Sequence, residues 1–194
     1  MNQNNLLLYL ITDREAAGGR NLCECVKAAL DGGVTMVQLR EKNMEYEELK
    51  KEAFEIKKLC HEYKVPFIIN DNVRLALETD ADGVHLGQSD MGIEEARRIL
   101  GKEKIIGATA KTVEQAKAAM EQGADYLGSG AVFGSSTKKD AVTIPVVAIG
   151  GINLSNVSKL AKTGIKGVAV ISGILTETDI CGTSEEFRRI LKNI

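Results

Sequence analysis

The chain lacks any apolar stretch of about 18 residues or more, so it contains no candidate transmembrane helix. The opening MNQNNLLLYLITDRE has no basic region ahead of its apolar run and an acid directly after it, which suits a first strand better than a signal peptide. Net charge is also nearly absent, at −2 with a pI near 5.8. No global field therefore favours nucleic acid, and any anion site must be local. The lysines and arginines are interspersed with glutamate along helical segments, as on solvated helix faces. Cysteine spacing for zinc is missing too: Cys23, Cys25, Cys60 and Cys181 read as reduced structural thiols of a cytoplasmic protein. No GxGxxG follows the first apolar run, which leads instead into Thr12-Asp13-Arg14. No Ser/His or Cys/His constellation is present either.

What remains is 194 residues of ordinary globular composition, 44% hydrophobic and 27% charged, read as one domain over 1–194. Short apolar runs at 6–11, 35–39, 66–70, 83–86, 104–108, 126–131, 145–149 and 167–171 predict strands. Their continuous apolar character is that of parallel strands covered on both faces. Amphipathic patterns at 22–30, 46–63, 72–78, 93–100, 113–121, 154–162 and 185–193 predict helices. Similar turns precede several strands, as in Thr79-Asp80-Ala81-Asp82-Gly83 and Gln122-Gly123-Ala124-Asp125, which suggests a repeated helix-to-strand connection. Strands alternating with helices leave a doubly wound sheet or a TIM-type (β/α)8 barrel. The missing dinucleotide fingerprint and the polar strand ends favour the barrel. One connection is anomalous: only GSSTKKDAVT, residues 134–143, separates Phe133 from Ile144. A helical crossover needs about a dozen residues or more, so the helix between strands 6 and 7 is expected to be missing.

In a barrel the chemistry belongs to the carboxyl ends of the strands. Period two puts Gln38, Arg40 and Lys42 on one side of strand 2, an amide, a guanidinium and an ammonium suited to a multiply charged anion. Strands 3 and 4 each bring a carboxylate to the mouth, Asp71 and Asp90. Two carboxylates with substrate phosphate oxygens would suit Mg²⁺, while Asp71 could cap the helix starting near Asn72, alone or as well, and Asp90 could likewise cap the helix after Met91. His85 lies within a strand without a partner at metal-ligand spacing and reads as a hydrogen-bonded structural histidine. Thr109 could donate to a ring nitrogen or a phosphate. The run Ser135-Ser136-Thr137-Lys138-Lys139 reads equally as a phosphate-gripping or a plain flexible loop. Gly150-Gly151 after strand 7, with Ser172-Gly173 after strand 8, have the character of a barrel monophosphate site.

Taken in order, YLITDR, VQLREK, FIINDNVRLALETDADGVHLGQSDM, STKKDA, IPVVAIGGI and GVAVISGIL resemble the thiamine phosphate synthase family over nearly the whole chain. The resemblance implies two small-molecule substrates. One is the pyrophosphate ester of 4-amino-2-methyl-5-hydroxymethylpyrimidine, and the other is hydroxyethylthiazole phosphate. It further implies that Gln38, Arg40 and Lys42 grip the pyrophosphate, with Asn70 and Lys138 beside it, and that Asp71 and Asp90 hold Mg²⁺. By the same resemblance Thr109 faces the pyrimidine, while Ser135, Ser136, Thr137, Gly151, Ile171 and Ser172 face the thiazole phosphate. No nucleic-acid or membrane partner is implied, and a homo-oligomer is left open.

The chain departs from the family pattern in three places. Thr109 stands where serine is usual, and Lys111 where histidine is usual. The segment after KKDA lacks the length for the helix that usually precedes IPVV. Two other readings compete: a barrel that binds thiamine precursors without catalysis, and a thiazole tautomerase. The tautomerase resemblance lacks the histidine of a GHxF segment, since this chain has Gly130-Ala131-Val132-Phe133.

Overall fold

The computed structural model describes residues 2–130 and 142–192. Eight parallel strands, in sequence order, close into a barrel: β1 (Leu8–Ile11), β2 (Met36–Leu39), β3 (Phe67–Asn70), β4 (Gly83–Leu86), β5 (Ile105–Thr109), β6 (Tyr126–Gly130), β7 (Val146–Ile149) and β8 (Gly167–Val170). Closure is made by β8 against β1, with Tyr9 opposite Ala169. Helices α1 (Leu22–Asp31), α2 (Tyr46–Glu62), α3 (Val73–Glu78), α4 (Ile93–Leu100) and α5 (Val113–Glu121) follow the first five strands. After β8 come a short α6 (Ser172–Leu175) and α7 (Ile180–Leu191).

Strand alternation divides the core in two. Leu8, Leu10, Val37, Leu39, Phe67, Ile69, Val84 and Ile106 point outward and pack with helix residues such as Val26, Ala29, Ile56, Ala96 and Phe187. Tyr9, Ile11, Met36, Ile68, Tyr126, Val147 and Ala169 fill the barrel itself. Gly107 is required there by close approach. A Cβ on it would lie 2.1 Å from Cζ of the Tyr126 ring.

The repeated helix-to-strand turn has a physical basis. At Asp82 and again at Asp125, the backbone N–H donates to the preceding strand, at Phe67 O and Ile106 O, while the side-chain Oδ2 accepts from the N–H of that same strand residue. Ala81 and Ala124, just before, are buried and donate back to the helix they leave, at Ala76 O and Ala119 O. Thr35 does the same work ahead of β2, with its Oγ1 accepting from Leu8 N. Each connection thus satisfies the free edge of an incoming strand before the next strand pairs with it.

Three of the expected elements differ from the sequence expectation by more than one residue. The first apolar run does not begin a strand at residue 6, because Gln3–Leu6 forms a 3-10 turn that places Leu6 inside the barrel. The helix expected over 154–162 is reduced to a 3-10 turn, Val157–Leu160. There Asn153 accepts from Ser155 N and Asn156 accepts from Asn153 N, local bonds that compete with a helical start. The last helix begins at Ile180 rather than 185, because Asp179 accepts from Gly182 N and caps it. The connection anticipated to lack a helix runs between Gly130 and Val146. Residues 142–145 of it are not helical, and 131–141 lie outside the described residues.

Candidate active site

At the carboxyl ends of β2 to β5 the described polar residues converge. β2 ends at Leu39, so strand alternation does not carry Lys42 to the inner face. Lys42 is exposed, with no hydrogen bond or ion pair to another described residue. Arg40 stands just beyond the strand. Its N–H donates to Thr12 Oγ1 at 2.9 Å, and its guanidinium meets Asp13 at 3.2 Å. These two partners, in the Thr12-Asp13 pair after β1, were not singled out from sequence. The signal available was their place directly after a strand, in the same position as the other candidates.

Gln38 lies lower, inside the barrel. It is 1% exposed, and its Nε2 donates to Tyr9 Oη at 2.5 Å. The amide expected to reach a pyrophosphate is thus committed to an interior partner.

Asp71 and Asp90 come together, although they lie on separate strand-to-helix loops. Neither caps its helix. Asn72 Oδ1 caps α3 by accepting from Leu75 N, and Gly92 is the N-cap of α4. Asp71 adopts φ +60°, with its N–H donating to His85 O. Asp90 Oδ2 accepts from Gly87 N at 2.6 Å. Although Asp71 is exposed at its outer edge, its carboxyl is pushed up to about 6. Burial of the carboxyl contributes most, then the hydrogen bond and charge of Asp90, while Asn70 and Arg40 oppose the rise. Two carboxylates this close share a proton or attract a cation. Among the described residues no group of three or more His, Cys, Asp or Glu side chains could hold a metal. A pair of carboxylates nonetheless fits an ion such as Mg²⁺, which completes its shell with waters and phosphate oxygens.

Below this pair, His85 is buried between two hydroxyls. Its Nδ1 is 3.0 Å from Tyr126 Oη and its Nε2 is 2.9 Å from Thr109 Oγ1. Burial pushes the imidazole down to about 4, so it is neutral near pH 7. This is the structural histidine expected from sequence. Burial also raises the phenols of Tyr9 and Tyr126. Thr109 is half-buried at the end of β5, and Gln88 Nε2 donates to its carbonyl at 2.6 Å. Tyr9 and Tyr126 escaped the sequence reading because an inward tyrosine looks like any core aromatic.

Across the mouth, Gly151 and Ser172 are exposed and Ile171 is half-buried against the barrel interior. The loops carrying them touch. A Cβ on Gly173 would lie 2.3 Å from Ile152 O, so only glycine allows this approach. Asn156 Nδ2 donates to Gly151 O at 2.8 Å and holds the loop after β7. Ser135, Ser136, Thr137 and Lys138 lie outside the described residues.

Known proteins are similar to this chain in fold and sequence. The solved structure of the thiamine phosphate pyrophosphorylase from Pyrococcus furiosus superposes with a TM-score of 0.91 and 41% identity, covering 98% of each chain. The thiamine-phosphate synthase of Fusobacterium nucleatum is 46% identical over 207 positions, covering 100% of this chain and 99% of the relative. That of Clostridium novyi is 47% identical, covering 96% of this chain and 98% of the relative. An alignment of 207 positions against 194 residues means that the Fusobacterium protein has positions this chain lacks. A match to the family described as thiamine monophosphate synthase runs over residues 8–174. On that match and these whole-length identities, the chain belongs to the thiamine monophosphate synthase family.

Proposed function

We propose that this chain forms thiamine phosphate by joining the aminopyrimidine pyrophosphate ester to hydroxyethylthiazole phosphate, with release of pyrophosphate. The observation that carries the reading is the Asp71–Asp90 pair beside Arg40 at the mouth of the barrel, in a chain of this family. Burial raises the Asp71 carboxyl most and the adjacent Asp90 raises it further, and a divalent cation between the two would relieve that second contribution. Asp71 and Asp90 would hold that ion, with Mg²⁺ the expected species. When bound, the ion supplies positive charge to the leaving pyrophosphate.

The chain's own groups then divide the work. Arg40 neutralises charge on the departing oxygens, and Lys42 and Lys138 reach the same group from flexible stems. Asn70, half-buried at the end of β3, orients the ester. The C–O bond breaks with its electron pair leaving on pyrophosphate, and the remaining carbocation is delocalised by the aminopyrimidine ring. The lone pair of the thiazole nitrogen forms the new C–N bond. No proton moves, so no general base is needed. Gly151, Ile171 and Ser172, with Ser135, Ser136 and Thr137, hold the thiazole phosphate through backbone N–H groups and hydroxyls. Thr109 faces the pyrimidine. The free cysteines fit a reducing cytoplasmic setting.

The test is an assay with both substrates, with and without Mg²⁺, following pyrophosphate and thiamine phosphate together. Equal amounts of both, dependent on the metal, are expected. Tight binding of either substrate without turnover would overturn the reading. Arg40→Ala should lower turnover by about 100-fold or more, the usual size for a charge-stabilising donor. Lys111→Ala should change it little, and equal small effects would remove Arg40 from the pyrophosphate.

A further inference from the structure

A continuous line of hydrogen bonds crosses the barrel interior and ends at the mouth. Gln38 Nε2 is 2.5 Å from Tyr9 Oη, which is 2.8 Å from Tyr126 Oη. Tyr126 Oη is 3.0 Å from His85 Nδ1, and His85 Nε2 is 2.9 Å from Thr109 Oγ1. Five side chains from β1, β2, β4, β5 and β6 thus form one chain. Four of them are at most 9% exposed. A buried polar line whose members satisfy one another fixes the orientation of each side chain in it, which hydrophobic side chains of the same volume would not.

Its direction follows from counting protons. The amide nitrogen of Gln38 can only donate, so Tyr9 accepts from it and turns its own proton to Tyr126. Tyr126, having accepted, turns its proton to His85 Nδ1. The imidazole is enclosed by the barrel, with a hydroxyl at each nitrogen and no carboxylate on either. It therefore carries a single proton, on Nε2, and gives it to Thr109 Oγ1. The Thr109 hydroxyl has no second partner among the described residues, and its own proton is left to point away from His85. Threonine also restricts χ1 more than serine would, which holds Oγ1 itself in place against His85.

We infer that Gln38, Tyr9, Tyr126 and His85 are positioning residues that lock the Thr109 hydroxyl as a hydrogen-bond donor toward the barrel mouth, where it meets a ring nitrogen of the aminopyrimidine. The inference rests on the proposed substrate for its last step only. A ring nitrogen accepts and the neighbouring exocyclic amino group donates. A hydroxyl fixed as donor therefore selects one edge of the ring, whereas a free hydroxyl would serve either.

The experiment has two arms. In the substrate-free protein, ¹⁵N NMR of labelled histidine reads which nitrogen of His85 carries the proton, with exposed His61 as the internal comparison. Nε2–H is expected in the unaltered protein, and a mixture of tautomers in Tyr126→Phe. A proton on Nδ1 in the unaltered protein, or an unchanged tautomer in Tyr126→Phe, overturns the relay. If Tyr126→Phe fails to fold, Tyr9→Phe breaks the adjacent link and is read in the same way.

The second arm is kinetic. Thr109→Val and Tyr126→Phe should each lower kcat/KM for the pyrimidine ester by roughly three- to tenfold, the scale of one neutral hydrogen bond. The thiazole phosphate KM should not change, and Thr109→Ser should restore most of the loss. The double variant should lose no more than Thr109→Val alone, because both remove the same contact. Additive losses, or full activity in Thr109→Val, overturn the inference while leaving the synthase reading intact. A protein with no synthase activity would fail that reading instead, and the NMR arm would still decide the relay.

Discussion

Asp71→Asn should stabilise the metal-free protein at neutral and alkaline pH, and the gain should vanish in acid. Asn tolerates the +60° φ of this position and keeps an N–H donor toward Asp90, so the backbone need not move. In the native residue the carboxyl is pushed from its ordinary 3.8 up to about 6, by burial first and by Asp90 second. Between these two values the folded state binds more protons than the unfolded one, so ionising Asp71 subtracts stability. Nothing is lost below about pH 4. The loss grows as pH rises from about 4 to about 6 and is complete above that range. At full weight this corresponds to about 3 kcal/mol. Because Asp71 is exposed at its edge, screening by solvent reduces it to on the order of 1 kcal/mol. For a chain of this length that is about 2–4 °C in Tm. Scanning calorimetry with chelator at pH 4, 6 and 8 should show the variant melting higher at pH 8, level with the native protein at pH 4, and in between at pH 6. A variant no more stable at pH 8, or a gain of the same size at pH 4, would refute the account of the pair.

The same carboxyl should make the proposed metal affinity depend on pH. Titration calorimetry should find Mg²⁺ binding about tenfold weaker at pH 5 than at pH 7, with a proton released on binding at pH 5, and affinity that ignores pH would separate Asp71 from the ion. Gly107→Ala should cost about 1–3 kcal/mol, because its Cβ would sit 2.1 Å from Cζ and 2.3 Å from Oη of Tyr126, and neither the strand nor the ring has room to yield. Urea unfolding measures that cost, and a midpoint equal to the native one would show that the barrel interior is looser than the contacts imply.

Much of the barrel was legible because its strands and helices carry their own periods. β4, α4 and α5 run over the residues that the pattern alone predicts, since each is bounded by a turn or cap written beside it, as with Thr112 accepting from Gln115 N. The segment 154–162 misled because its apolar spacing was helical while Asn153, Ser155 and Asn156 bonded locally. The placing of Lys42 on the same side as Gln38 fails for a different reason: alternation holds only while a strand lasts, and β2 stops at Leu39. Asp71 and Asp90 could be singled out as carboxylates at strand ends, but nothing in their spacing distinguished a helix cap from a shared site.

The sequence by itself determined the alternation of strand and helix, the polar residues after each strand and the family to which they belong, since these depend on local propensity and on order along the chain. Tertiary structure alone decided which of those residues meet. Closing the barrel brings β1, β2, β4, β5 and β6 around one interior. That closure turns Gln38 inward to Tyr9, sets Tyr126 into the space left by Gly107, and buries the Asp71 carboxyl beside Asp90 so that it holds its proton more tightly. Contacts between side chains far apart in sequence follow from the radius and register of the closed sheet, which no window of the chain contains.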